Sequence, residues 1–426
     1  MTESRPSSKR DSYCALFWRG LDVADKGGFR VCCSYDGGLE AKGRPALFER
    51  DSVTTVMTDP HMAALRAASL AGEPIPGCRA CYAKEDAGAR SDRQIYNQAA
   101  DIDLGEDART AYAEGRADPE VSFLSLHLGS TCNLACRMCR PEASSRIAAD
   151  PVHAGWAQAV GASQGGLVRR GRAGWARDLD QMFADGIGAC ADTLRVVQIS
   201  GGEPFVMSEF TAVLDRLIDA GAAPHIELAA PTNATQVTDR HLAQLAQFKS
   251  VRLRLSLDGV HGLNDYVRWP AVWERVEPVV DRLETLANVR LAVGFTLNAY
   301  NVFGAADVFT WSVARGFRFE YGVVTSPRYL DTAVLPDAVR RQAAEHLDAR
   351  AQSHADARDV NQLQGLGRLL REQAWAGPDR LKEFMTFTND MDATRGQSFA
   401  QAEPRLHALI AEAAGGWSDA RRLNAA

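Results

Sequence analysis

The chain has 426 residues, with 48 Lys and Arg against 54 Asp and Glu and a formal net charge of −6. A hydrophobic share of 46% and a charged share of 24% are those of an ordinary globular protein, which excludes disorder and collagen-like repeats; the length allows two or three domains, or one large α/β unit with additions. The acidic balance leaves no excess basic surface for nucleic acid, no apolar run approaches the ~18 residues of a membrane span, and the polar start Met1-Thr-Glu-Ser-Arg-Pro has no signal-peptide core, so the expected setting is cytoplasmic, without nucleic acid or membrane as partner.

Nine cysteines lie at positions 14, 32, 33, 78, 81, 132, 136, 139 and 190. A large chain without a secretory signal keeps its thiols reduced, and clustered thiols then usually bind metal. Five come early: Cys14, Cys32, Cys33, Cys78 and Cys81. Phe17 and Trp18 follow the first of them, and Gly27-Gly28 turns the chain ahead of the adjacent pair. A site built of thiolates alone suits zinc or iron–sulfur on ligand grounds.

Val121–Leu128 alternates polar and apolar positions and predicts a strand. It runs into Thr131-Cys-Asn-Leu-Ala-Cys-Arg-Met-Cys-Arg-Pro141, which spaces Cys132, Cys136 and Cys139 as C-x3-C-x2-C, and a helix start follows over Glu142–Ala149. The three thiols are thus expected on a loop at the C-terminal end of a strand, where α/β folds place their chemistry. Structural zinc takes four ligands, and the next histidine, His153, lies fourteen residues beyond Cys139. Three thiolates on an iron–sulfur cubane leave one iron free for another ligand; a zinc knuckle completed from elsewhere is the alternative.

Gly161–Gly174, rich in Gly, Ser and Arg, reads as a mobile loop whose Arg169, Arg170 and Arg172 form a solvated surface. Beyond it, strands are predicted at Leu194–Ile199, His225–Ala230, Val251–Leu257, Val289–Thr296 and Phe317–Val324. They alternate with amphipathic stretches at Val206–Ala220, Thr238–Phe248, Ala271–Ala287 and Val302–Arg315, so the sheet is parallel. The second strand ends in Ser200-Gly-Gly-Glu-Pro-Phe205: Gly201 and Gly202 let backbone approach a ligand, and Glu203 offers a carboxylate to an ammonium group. Later strand ends carry Pro231-Thr-Asn-Ala234, Ser256-Leu-Asp-Gly259 with Arg268 downstream, and Asn298 with Asn301. The asparagines either face a ligand or satisfy loop backbone. Cys190 reads as a small buried apolar residue and His127 as core. From Leu330 the chain is Ala-, Arg- and Leu-rich with helical spacing to about Ala414, interrupted at Gly377-Pro378 and Glu403-Pro404.

The cysteine loop and the Gly-Gly-Glu-Pro turn together resemble the radical S-adenosylmethionine (SAM) superfamily. The resemblance implies a partial (β/α)6 barrel and a [4Fe–4S] cluster on Cys132, Cys136 and Cys139, with Met138 standing where the family commonly has an aromatic residue. It implies SAM bound at the free iron and by Gly201, Gly202 and Glu203, with Thr232 and Asn233 in the family's TNG element. Ser256 falls near the ribose and Arg268 at the carboxylate, unless Asp258-Gly259 is a plain turn and Arg268 a helix-start ion pair; Asn298 completes the set. The N-terminal spacing Cys14-x12-Gly27-x4-Cys32 with Cys78-x2-Cys81 resembles twitch and SPASM modules, which hold auxiliary iron–sulfur clusters and usually follow the barrel. That implies an auxiliary [4Fe–4S] cluster on four of Cys14, Cys32, Cys33, Cys78 and Cys81, with Cys33 the spare, covered by Glu85–Asn97; zinc is the alternative.

The expected organisation is an α/β chain of three parts: an N-terminal cysteine-rich module at 1–118, a radical SAM partial barrel at 119–329 and a C-terminal helical cap at 330–426. By resemblance, its function is reductive cleavage of SAM to a 5′-deoxyadenosyl radical that abstracts hydrogen from a small-molecule or peptide substrate, in an oxidation or rearrangement. An external donor such as flavodoxin or ferredoxin supplies the electron. The rival is a non-catalytic iron–sulfur redox or regulatory protein, which would have no use for the Gly-Gly-Glu-Pro turn.

Overall fold

The computed structural model describes residues 11–86, 90–99, 106–115, 119–159, 183, 187–354 and 357–422; the Gly161–Gly174 stretch lies outside them. The chain divides into two compact units, one of 1–130, 171–230 and 239–251, the other of 131–170, 231–238 and 252–426.

In the first unit, β1 (Gly20–Val23), β2 (Phe29–Arg30), the small pair β3 (Glu40–Ala41) and β4 (Arg44–Pro45), β5 (Phe123–His127), β6 (Val196–Ser200) and β7 (Glu227–Thr232) follow in chain order. The sheet order is β7-β6-β5-β1-β2, parallel except for the β1–β2 pair. All four residues of β1 are buried, and β1 pairs with β5 from Gly20 opposite Phe123 to Val23 opposite Leu126. A row of unpaired amide and carbonyl groups on β5 is thereby satisfied by the chain's own start. Helix Ser208–Asp219 presents Phe210, Val213, Leu214 and Leu217 as one buried stripe at helical spacing.

In the second unit, β8 (Ser250–Ser256) neighbours β9 (Val289–Leu297), which pairs in parallel with β10 (Arg318–Val323). Alternation along β8 buries Val251, Leu253 and Leu255 while Arg252 and Arg254 stay exposed. Helices Trp273–Glu284 and Gly304–Ala314 fill the intervals between these strands. Every strand expected from Val121 onward is present, shifted by at most two residues at either end, and the protein is an α/β fold with a mostly parallel sheet.

The C-terminal stretch is helical as expected, in Asp337–Gln352, Ala357–Glu372, Pro378–Arg395, Phe399–Ala402 and Pro404–Ala414. Pro378 and Pro404 each open a helix, where their missing N–H costs nothing, and Gly396 and Gly415 close the preceding turns in the left-handed conformation. Among the described residues no helix is long and apolar enough to cross a membrane.

Candidate functional site

The cysteine loop belongs to the second unit, and its shape is set by hydrogen bonds at both ends. Ser145 Oγ accepts from Cys132 N (3.3 Å), Ser144 Oγ donates to Leu134 O (2.9 Å), and Arg146 Nη1 donates to Asn133 O (2.7 Å). Helix Ser145–Ala148, capped by Ser144, thus grips the loop just ahead of it. On the other side Ala135 N donates to Trp269 O (2.7 Å) and Arg137 N to Val267 O (2.9 Å). These two bonds run the segments past each other so that Cys136 lies opposite Arg268. The Arg268 Nη1 is 4.0 Å from Cys136 Sγ, and its Nε is 2.7 Å from the buried carboxylate of Asp258.

Cys132, Met138 and Cys139 pack with Cys136 against Leu134 and Ala271. All nine cysteines are free thiols. Burial pushes the Cys136 thiol well up, against the pull of Arg268, and takes Cys139 to about 11, with the neighbouring Cys132 adding to the rise. As bare thiols these groups hold their protons, so loading with iron displaces protons and favours higher pH. Among the described residues no three Cys, His, Asp or Glu side chains close on one point tightly enough to hold a lone metal ion. Three soft sulfur donors on one loop, in an apolar bed with one guanidinium beside them, fit an iron–sulfur cluster by donor chemistry.

Arg137, between the second and third cysteines, anchors the loop from behind. Its side chain is fully buried and its guanidinium lies 3.7 Å from the ring centre of Tyr266. Nη2 donates to Asp392 Oδ1 (2.6 Å) and Gln397 Oε1 (3.0 Å), and Nε to Tyr266 O (3.1 Å). The Thr-Asn-Ala element supports the loop at its start. Asn233 Nδ2 donates to Asn133 Oδ1 (2.9 Å), Asn133 Nδ2 donates to Thr235 Oγ1 (2.7 Å), and Asn233 Oδ1 accepts from Thr235 N (3.0 Å). Thr232 Oγ1 accepts from Ala234 N (3.0 Å), closing a turn in which Ala234 takes a φ of 54°. The structure therefore shows Thr232 and Asn233 shaping loops around the cysteines.

Ser256 ends β8 and is half-buried. Arg268 follows helix His261–Val267, and its Nε pairs with the Asp258 carboxylate. Burial raises the Asp258 carboxyl, countered by Arg268 and by the Thr296 N–H at 2.7 Å. Asn298 and Asn301 both serve loop backbone: Asn298 accepts from Tyr300 N (3.0 Å) and donates to Thr296 O (2.9 Å), while Asn301 accepts from Asn298 N (2.8 Å) and donates to Asp258 O (3.0 Å).

The Gly-Gly-Glu-Pro turn belongs to the first unit, at the end of β6. Leu128 N donates to Ser200 O and Gly202 N to Gly129 O, each at 2.9 Å, so the turn is tied to the end of β5. Gly201 has a φ of 154°, and a Cβ there would stand 2.8 Å from Gly129 O and 3.1 Å from Met207 Sδ. Only glycine fits. Glu203, 3% exposed, precedes the short 3₁₀ turn Pro204–Val206.

The first unit also gathers the early cysteines. Cys78 and Cys81 both act on Cys14, and Cys14 and Cys81 on Cys32; burial, with these neighbours adding, takes Cys14 to about 12 and Cys78 to about 11 and pushes Cys32 higher still. Cys33 is exposed, and the charged groups nearest to it are Asp22, Asp92 and Arg30. Asp36 N donates to Gly77 O (2.8 Å), joining the loop after Cys33 to the one before Cys78; a Cβ on Gly77 would collide with the Tyr35 ring at 2.3 Å. Helix Asp92–Tyr96, with a Ser91–Gln94 capping box, lies over Cys14. Arg93 Nη1 and Asn97 Nδ2 donate to Tyr13 O (2.8 and 2.9 Å), Asn97 Oδ1 accepts from Ala15 N (2.8 Å), and Arg93 pairs with Glu85 at 2.8 Å. Cys190 is buried, its Sγ 3.4 Å from Ile187 O, and burial takes it to about 12; His127 is half-buried, with burial lowering its pKa.

The roles of Asn133, Arg137 and Asp258 went unseen in the sequence. Arg137 carried one usable signal: a cation fixed between two ligand-type cysteines needs a buried counter-ion or an open surface.

Residues 126–304 match the sequence model of the Radical SAM superfamily. No curated protein matches the chain. Among solved structures, SuiB of Streptococcus suis bound to S-adenosylmethionine is similar with a TM-score of 0.36 and 16% identity, over 59% of this chain and 49% of that one. SuiB bound to the precursor peptide SuiA gives 0.36 and 13%, over 68% and 63%. Native anSMEcpe with bound AdoMet gives 0.35 and 15%, over 55% and 59%. The match spans about half to three-fifths of the length of these proteins.

Proposed function

We propose that the chain is a radical SAM enzyme, with a [4Fe–4S] cluster on Cys132, Cys136 and Cys139. The observation that carries this reading is the gathering of the three loop thiols in one apolar bed with Arg268 against Cys136. Bound there, the cluster and SAM supply a one-electron cleavage yielding a carbon radical able to take hydrogen from a substrate. The chain's own part is placement. Gly201 and Gly202 keep their turn free of side chains, Glu203 offers a carboxylate to the SAM amino group, and Ser256 and Arg268 receive the ribose and carboxylate. Thr232, Asn233 and Asn298 hold the loops in shape. A buried, apolar setting also shields the reacting groups from water.

Cys14, Cys32, Cys78 and Cys81 are proposed as the ligands of an auxiliary [4Fe–4S] cluster, with Cys33 outside the set. The substrate, a small molecule or peptide, and an external electron donor belong to the same proposal. Anaerobic reconstitution should load about seven to eight irons per chain if both clusters are cubanes. Dithionite with SAM should then release 5′-deoxyadenosine, and the Cys132→Ala, Cys136→Ala, Cys139→Ala triple variant should release none. Zinc in place of iron, or turnover by the triple variant, defeats the reading; full iron loading with no cleavage of SAM favours the non-catalytic redox protein.

A further inference from the structure

The guanidinium beside Cys136 does not stand there by chain geometry alone. The backbone bonds from Ala135 N to Trp269 O and from Arg137 N to Val267 O bring residue 268 opposite residue 136, but the long arginine side chain has several rotamers open to it. One of its edges is fixed. Asp258, none of whose side chain is exposed, lies 2.7 Å from Arg268 Nε, and is itself held by Thr296 N at 2.7 Å on Oδ1 and by Asn301 Nδ2 at 3.0 Å on its carbonyl oxygen. Arg268 N donates to Asn264 O (2.8 Å), so the backbone on both sides of the pair is pinned. With the Asp258 carboxylate as its ion-pair partner on the Nε side, Arg268 turns Nη1 toward Cys136 Sγ.

We infer that Asp258 is a positioning residue: it fixes the orientation of the Arg268 guanidinium so that this cation bears on the Cys136 thiolate and on the cluster held there. The inference rests on the cluster reading proposed above. Asp258 touches none of the three cysteines by hydrogen bond among the described contacts; its charge also reaches Cys136 through space, and its hold on the guanidinium is the part that passes through Arg268. A cation at this distance in an apolar bed stabilises the more negative, reduced form of the cluster, and its strength depends on where the guanidinium is held. Coupling through a shared partner shows itself as non-additivity in a double-mutant cycle.

The experiment compares the reconstituted wild type with Asp258→Asn, Arg268→Gln and the double variant, all without SAM. The readout is the midpoint potential of the Cys132/Cys136/Cys139 cluster, followed by electron paramagnetic resonance in a Cys81→Ser background that removes the auxiliary signal. Arg268→Lys, which keeps a cation without the fork, guards against misfolding of the glutamine variant, and circular dichroism checks each fold. Expected are a resolvable shift in Asp258→Asn, a shift to lower potential in Arg268→Gln, and an Asp258→Asn shift in the Arg268→Gln background that differs in size from its shift in the wild type, the direct effect of the lost charge being all that is left there. An unchanged potential in Asp258→Asn, or a shift of equal size in both backgrounds, overturns the inference. If the wild type takes up no cluster, the functional reading has failed, which the iron content reveals independently.

Discussion

Removing Asp392 should leave a charge stranded in the interior, and the size of the penalty can be worked out. Arg137 is fully buried and its Nη2 lies 2.6 Å from Asp392 Oδ1, while Asp392 is 18% exposed on its side chain. Taking one partner from a buried ion pair costs about 3–5 kcal/mol, because the other ion is left desolvated and unpaired. Two further contacts are lost with the carboxylate: Tyr266 OH at 2.9 Å and Phe399 N at 2.8 Å, each worth about 1 kcal/mol. Working the other way, Arg137 keeps Gln397 Oε1, the Tyr266 carbonyl and the Tyr266 ring, the last worth about 2 kcal/mol when desolvated. The balance leaves about 3–5 kcal/mol for Asp392→Ala. Asp392→Asn, which keeps a carbonyl acceptor, should lose about 2 kcal/mol. Urea unfolding of the reduced, metal-free chain, followed by tryptophan fluorescence, measures both. A loss below about 1 kcal/mol for the alanine variant, or equal losses for the two, would refute the claim that this pair anchors the cysteine loop.

Gly201→Ala should cost about 1–3 kcal/mol, since the new Cβ meets Gly129 O at 2.8 Å with φ at 154°, and thermal melting should show it while Gly262→Ala, with open space around its Cβ, is unaffected by clash. His153 is held down to about 4, chiefly by burial, so the native state binds fewer protons than the unfolded state between that value and the free value of about 6.5. Its contribution is therefore present above pH 6.5 and is lost as pH falls toward 4, by about 3 kcal/mol in all; urea midpoints should fall more steeply between pH 6.5 and 4 for wild type than for His153→Phe, and parallel curves would contradict the assignment. Cys33→Ser should retain full iron after reconstitution, whereas Cys32→Ser should lose about four irons per chain. Equal iron in both would mean that the four-thiol assignment is wrong.

Much of this was open to reading before any coordinates. The C-x3-C-x2-C loop, the Gly-Gly-Glu-Pro turn and the strand–helix alternation are local patterns, set by residues a few positions apart, and each appears where the pattern put it. Gly201 is the clearest case, for its backbone angle and the approach of Gly129 leave room for no other residue. The start of helix Asp92–Tyr96 was equally legible, because the Ser91–Gln94 capping box announces a helix start whatever lies beneath it. Asn298 shows the limit of such reading. An asparagine after a strand serves a ligand or its own loop, and which of the two depends on partners that periodicity does not reveal.

The amino-acid order by itself settled the thiol sets, the glycine turn and the succession of strands and helices, since these follow from spacing and backbone preference. Tertiary structure alone decided the rest. It joined β1 to β5 through hydrogen bonds between residues about a hundred positions apart, and buried Arg137 against Asp392, 255 residues away. It also left Cys33 exposed and set Asp258 beside Arg268. Such pairings depend on desolvation and charge compensation in the packed interior, where a buried ion must find a counter-ion from anywhere in the chain. No local rule encodes that choice.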